Sequence, residues 1–272
     1  MIKIQLPLPV SDAVALSKMR KRTELSNWVD QLNSAYLLYL TSFGSATKLA
    51  ANKVGLDATA SGRMETCYRD ETILDGLDWI STVRAAKHIS ACPMCGGFSK
   101  GTLEHVLPKA DFPEFYVFSA NLVPSCQVCN GKRSNTASAA GILHPYFDAF
   151  LAGSILETQI IPPFEAPSFA PKAICFFALS DETISRLVNH TTRSINVDEF
   201  SSYAEGRWRY IRERAKRFKS KKALTTDISD TSVDYEKANG CNNWEGAFWR
   251  GLKASPSAIQ WLFANRNNAS LF

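Results

Sequence analysis

Two cysteine pairs, Cys92-Pro-Met-Cys95 and Cys126-Gln-Val-Cys129, stand 30 residues apart in the middle of a 272-residue chain. No other feature of the sequence constrains the fold as much. CxxC spacing places two thiolates on one tight backbone turn, and two such turns supply the four sulfur ligands of a tetrahedral, structural Zn2+ site. Gly96 and Gly97, directly after the first pair, suit a backbone that must wrap closely around a metal. The total of seven cysteines is odd, which argues for metal over a disulfide framework; Cys67, Cys175 and Cys241 read as core residues. A zinc held by both pairs would bring residue 92 beside residue 129, turning the segment between them into a loop with pinned ends.

In and just beyond that loop lie Glu104, His105, Asn121, Asn130 and Lys132. Metal-assisted hydrolysis of a phosphodiester calls for these residue types. A neutral imidazole can take a proton from water, and carboxylate and amide oxygens suit a hard cation such as Mg2+ or Mn2+.

The order CxxC, EHVLPK, NLVPSC, CxxCNGK resembles the HNH endonucleases of the ββα-metal superfamily, in the subgroup braced by a four-cysteine zinc. The resemblance covers roughly residues 90 to 150. It implies two β-strands carrying His105 and Asn121, then a helix carrying Cys129, Asn130 and Lys132. By position, His105 matches the general base and Glu104 the carboxylate ligand of the catalytic Mg2+ or Mn2+. Asn121 matches the residue that braces the loop, and Asn130 stands where the family has His or Asn as second ligand. Two departures, Glu rather than Asp at 104 and Asn rather than His at 130, keep the donors hard. Asn130 is also a favoured helix-capping residue. Lys132 and Lys109 are candidate phosphate contacts, His144 in HPYFD reads as a packing residue, and His88 and His190 have no comparable context. The family engages duplex DNA through its backbone. Large flanks of unfamiliar sequence around such a core resemble the nuclease components of anti-phage defence or restriction systems, which work beside an ATPase or sensor protein.

The remainder of the chain is expected to be α+β and mostly helical around that core. Residues 1–88 form a helical N-terminal region, 89–150 the HNH core, and 151–272 a mixed C-terminal region. From Ser26, apolar residues recur at helical spacing through Leu40, and a further helix lies near Ser11. The stretch DATASGRMET reads as a polar separator before a helical pattern at Ile73, Leu77, Ile80 and Val83. SILETQII and KAICFFAL read as strands split by a proline-rich turn segment; Ser180 reads as a helix start. One helix is expected from about Asp198 to Lys222, and a final pair from NNWEGAFWRGL and from Ser255-Pro256.

Net charge is +5, yet residues 207–222 (RWRYIRERAKRFKSKK) hold nine Lys and Arg against one Glu, so the basicity is local. Arg207, Arg209, Arg212, Lys216 and Lys219 are candidate nucleic-acid contacts on that stripe, while Trp208 and Phe218 fall on its apolar side. Apolar runs such as AYLLYL stop well short of the roughly 20 residues needed to span a bilayer. MIKIQLPLPVSD lacks the features of a signal peptide, so the expectation is a cytoplasmic protein without a membrane segment. A homodimer is compatible with double-strand cutting, although no residue specifies it. The alternative to an enzyme is a non-catalytic, zinc-containing nucleic-acid-binding or interaction subunit.

Overall fold

The computed structural model describes residues 1–7, 10–85, 87, 89–132, 141–174 and 178–268. It shows a mixed α+β chain in which helix predominates and strands form two separate antiparallel pairs. The N-terminal helices are α1 (Val10–Met19), α2 (Val29–Thr41), α3 (Ala46–Ala50), α4 (Ala58–Asp70) and α5 (Trp79–Ala85). The periodic stretch from Ser26 becomes a 3-10 turn, Ser26–Trp28, leading into α2, which buries Val29, Leu32, Ala35, Tyr36 and Tyr39 on one face.

The expected polar separator is in fact α4. Asp57 Oδ1 accepts the Ala60 N–H (2.7 Å) as N-cap, and only Ala60, Met64 and Cys67 are buried along its length. So narrow an apolar stripe, set among Thr, Ser, Gly and charged residues, leaves almost no periodic signal.

β1 (Thr102–His105) runs antiparallel to β2 (Leu122–Ser125), with Thr102 opposite Ser125 and His105 opposite Leu122. A short helix, α6 (Gln127–Lys132), follows and packs against β1. The N-terminal helices hold the long connection between these strands. Tyr36 stacks on Phe118 at 4.1 Å, and Tyr39 meets Phe115 and Phe118 edge-on at 5.0 and 5.1 Å. Asp12 of α1 accepts the Ser119 N–H (2.9 Å) and Oγ–H (2.5 Å), while burial pushes its carboxyl up to about 6.

Beyond the core, β3 (Leu156–Ile161) pairs with β4 (Ser168–Ala173) and is followed by α7 (Asp181–Ser194), α8 (Val197–Ala215), α9 (Lys221–Asn239), α10 (Trp244–Lys253) and α11 (Pro256–Ala264). Two expectations are corrected here. The second strand lies earlier than KAICFFAL, inside the proline-rich segment, where Pro171 opposite Thr158 is tolerated in a two-stranded sheet. Residues 175–177, including Cys175, lie outside the described residues. The single helix expected over 198–222 is two helices: α8 ends at Ala215, and Ser220 caps α9 by accepting the Ala223 N–H (3.2 Å). Ser180, Asn243 and Pro256 start helices as anticipated. Of the other isolated cysteines, Cys67 is buried and Cys241 is partly exposed.

Helix α10 crosses β3 in backbone contact, since a Cβ built on Gly251 would lie 1.9 Å from the Thr158 carbonyl oxygen. Among the described residues, no helix is long and apolar enough to cross a membrane.

Candidate metal centre and catalytic site

The four paired cysteines converge. Cys92, Cys95, Cys126 and Cys129 are all buried, and their sulfurs lie within 4.8 Å of one another. Cys92 Sγ to Cys129 Sγ is 4.0 Å, and Cys95 Sγ to Cys126 Sγ is 3.8 Å. A regular tetrahedron with metal–sulfur bonds of about 2.3 Å has edges of about 3.8 Å. The donor set and its spacing therefore fit a four-coordinate, thiolate-selecting metal ion. Backbone donors already face the sulfurs: Gly97 N–H to Cys95 Sγ, Cys126 N–H to Cys92 Sγ and Cys129 N–H to Cys126 Sγ, each 3.3 Å. Such bonds favour the charged thiolate. Gly96, with φ +82°, makes the turn between the first pair and the rest of the chain, and a Cβ there would lie 2.3 Å from the Asn242 carbonyl oxygen.

That knuckle is enclosed by residues distant in sequence. Trp244 donates its ring N–H to Cys95 O (2.9 Å) and its backbone N–H to Gly96 O (3.0 Å). Ile2 N–H reaches Pro93 O (2.9 Å), and the Met1 ammonium donates to Asn242 O (2.9 Å). His190 of α7, which had no context in the sequence, bonds Met94 O through Nε2 at 2.6 Å and accepts the Leu143 N–H on Nδ1.

The cluster fixes the start of α6 against β1, the strand that carries Glu104 and His105 at its C-terminal end. Both side chains are largely buried, with 6% and 8% of their surface exposed. His105 Nε2 lies 2.9 Å from Tyr116 O. A carbonyl oxygen only accepts, so Nε2 carries the proton and the neutral ring's lone pair is on Nδ1. Tyr68 of α4 meets the imidazole edge-on at 4.7 Å and Tyr116 at 5.6 Å, fixing the ring plane.

Asn121 is fully buried and braces the connection between the strands. Its Oδ1 accepts the Leu107 N–H (2.8 Å), and its Nδ2 donates to Leu107 O and Phe115 O (3.2 Å each). Its backbone carbonyl accepts the Val106 N–H at 2.9 Å, directly after His105. Tyr39 extends this brace. Its hydroxyl lies 3.0 Å from Asn121 Oδ1 and 3.0 Å from His144 Nε2. The amide oxygen can only accept, so the Tyr39 proton points to Asn121 and His144 Nε2–H donates to Tyr39. The Tyr146 N–H, 3.3 Å from His144 Nδ1, is consistent with that tautomer. His144 is accordingly a packing residue, 4.5 Å from the Phe147 ring, that also orients a hydrogen-bond chain.

Asn130 is exposed on α6, immediately after buried Cys129, and the Lys132 side chain lies outside the described residues, as does His88. Lys109 is exposed with its ammonium 5.8 Å from the Tyr116 ring centre. The basic segment divides. Arg207 pairs at 2.6 Å with Glu245, a buried carboxylate that also accepts from Tyr203 and from the Trp249 ring N–H (2.7 Å). Arg214 forks onto Asp227 at 2.8 and 2.6 Å. Arg212 lies over the Trp261 ring at 5.5 Å, and Lys216 meets Glu213 at 2.8 Å. Arg209 and Lys219 are exposed. Much of the charge run thus ties α8 to α9, α10 and α11.

Tyr39, Tyr68 and Tyr116 had no signal in the sequence, because each acts across a long sequence separation or through a backbone carbonyl. No family model matches the chain. Over 62 residues it is 40% identical to Protein ea31 of Escherichia phage lambda, a match covering 21% of this chain and 21% of that protein. The chain thus spans about a fifth of the curated relative it matches. No solved structure matches it.

Proposed function

We propose that this chain is a metal-dependent endonuclease of the HNH type that hydrolyses DNA, with a structural Zn2+ on Cys92, Cys95, Cys126 and Cys129. The observation that carries the reading is the setting of His105. It sits at the end of a strand paired with a second strand and followed by a helix, its Nε2–H is committed to Tyr116 O at 2.9 Å, and the loop beyond it is clamped by Asn121. An imidazole held this way has Nδ1 as its base, the role that activation of water requires.

Glu104 and Asn130 would hold Mg2+ or Mn2+, both being hard oxygen donors, and the burial of the Glu104 carboxylate favours a compensating cation. That ion, when bound, supplies neutralisation of charge on the phosphodiester and on its leaving oxygen. His105 takes the proton from the attacking water, Asn121 keeps the following loop in register, and Tyr68 with Tyr116 prevents the imidazole from turning. Of the cationic candidates, Lys109 and the exposed members of the basic segment, Arg209 and Lys219, are the suitable phosphate contacts. Arg207 is a structural cation in this reading.

The test is cleavage of supercoiled plasmid by zinc-loaded protein in Mg2+ or Mn2+. His105→Ala should lower the rate by about a hundredfold or more while leaving folding and zinc content intact. A wild-type sample with one zinc per chain that cuts no DNA in either metal, or a His105→Ala protein that cuts normally, sinks the reading.

A further inference from the structure

Helix α2 ends in a turn whose key position is occupied by an unusual residue. Phe43 N–H donates to Leu40 O (3.2 Å) and Gly44 N–H to Tyr39 O (3.0 Å), the two bonds of a Schellman motif. The left-handed position of that motif ordinarily takes glycine; here it holds Phe43, at φ 55°. A bulky side chain is disfavoured there, and this one is not compensated by burial, since 67% of its surface is exposed. Its ring meets Phe147 edge-on at 5.8 Å. Gly44, also left-handed at φ +71°, is constrained twice over, because a Cβ on it would lie 2.8 Å from the His144 ring.

Phe43 forms the lip of a cavity of about 420 Å³. One wall is Val106 and Leu107, the residues directly after His105, and another is His144 and Phe147. The charges around it balance. Arg186 is held by Asp148 at 3.0 and 2.7 Å and by Ile142 O at 2.9 Å, while Glu182 and exposed Lys48 are the other charged residues of the lining. A bare phosphate would find too little net positive charge here. A flat, uncharged heterocycle with donors and acceptors on its edge fits both the aromatic lip and the mixed polar wall, and the size is that of an ordinary small-molecule pocket.

We infer that the cavity takes an unstacked nucleobase of a nucleic-acid strand, stacked on Phe43, with the neighbouring phosphate near Lys48. The inference rests on the nuclease reading for the class of ligand. It adds a strand-holding site beside the loop that follows His105.

Phe43→Gly separates the two possible reasons for this residue, since glycine suits the left-handed turn and removes only the ring. In His105→Ala protein, without added Mg2+ or Mn2+, a short single-stranded oligodeoxynucleotide containing 2-aminopurine is titrated and its fluorescence followed. The expected results are quenching on binding, affinity weakened roughly tenfold or more by Phe43→Gly, recovery in Phe43→Trp, and a Tm no lower than that of the parent. Equal affinity and equal quenching with Phe43→Gly, or no binding by the parent, overturns the inference. Because this assay needs no cleavage, loss of binding in Phe43→Gly beside an uncut plasmid would remove the nuclease reading and keep the site. A cut plasmid with unchanged binding would do the reverse.

Discussion

The two strand pairs of this protein are built on opposite plans. In β3 and β4 burial changes along each strand, with buried Leu156 and Thr158 separated by partly exposed Glu157 and followed by exposed Gln159. That sheet leans on α8 and α10, chiefly by packing, with the Arg250 guanidinium of α10 donating to Leu156 O (3.0 Å from Nε) and Asn242 accepting the Ile155 N–H (2.8 Å). In β1 and β2 nearly every residue is buried, although each strand is only four residues long. Two strands of that length have little stability of their own. They are held from outside: by the cysteine cluster behind them, by Asn121 across their connection, and by Tyr39, Tyr68 and Asp12 from the N-terminal helices. The second pair is thus supported mainly by one neighbouring layer of helices, whereas the first draws its support from a cysteine cluster and from polar and ring contacts spread over several elements.

The sharpest way to break this comparison is to remove a cysteine. Cys126→Ser, or chelation of the wild-type metal, should abolish bound zinc and the cooperative thermal transition, because binding energy of a structural zinc is folding energy. A variant that still melts cooperatively near the wild-type temperature would mean that the β1–β2 pair needs no external support. The next largest effect belongs to the other sheet. Gly251→Ala forces α10 away from Thr158 and should lower unfolding free energy by about 3 kcal/mol, read from the urea midpoint, with zinc content unchanged. Zinc lost together with stability would show that the two halves respond as one. A smaller effect sharpens the contrast. Tyr39→Phe leaves the buried His144 Nε2–H without its acceptor and should cost about 1–2 kcal/mol. As a positioning change it should lower kcat several-fold with KM nearly unchanged; wild-type kcat and stability would detach the N-terminal helices from the site.

The same contrast explains what the sequence discloses. Cysteine spacing is a local signal with a strict geometric meaning, so the metal cluster was legible from four positions. The strand at SILETQII and the helix starts at Ser180, Asn243 and Pro256 were legible through local composition. Helix α4 was not, because its three buried residues, Ala60, Met64 and Cys67, keep helical spacing but are too few among polar neighbours to stand out. The strand β4 was hidden by its prolines. The hydrogen bonds that Tyr39 makes to Asn121 and accepts from His144 span 82 and 105 residues, and no window of sequence contains both partners. The basic segment misled in another way: a charge run records the number of cations but not their partners, and Glu245 and Asp227, which neutralise two of them, lie in other helices.

The enclosure of the first cysteine knuckle also imposes an order in time. Cys95 and Gly96 present carbonyls whose partners, the ring and backbone N–H groups of Trp244, emerge from the ribosome nearly 150 residues later. Until then the knuckle stands open to water on that side. Helix α10 therefore acts as a latch on a cluster gathered much earlier, and a chain halted before it would carry Glu104 and His105 without the finished setting that holds them.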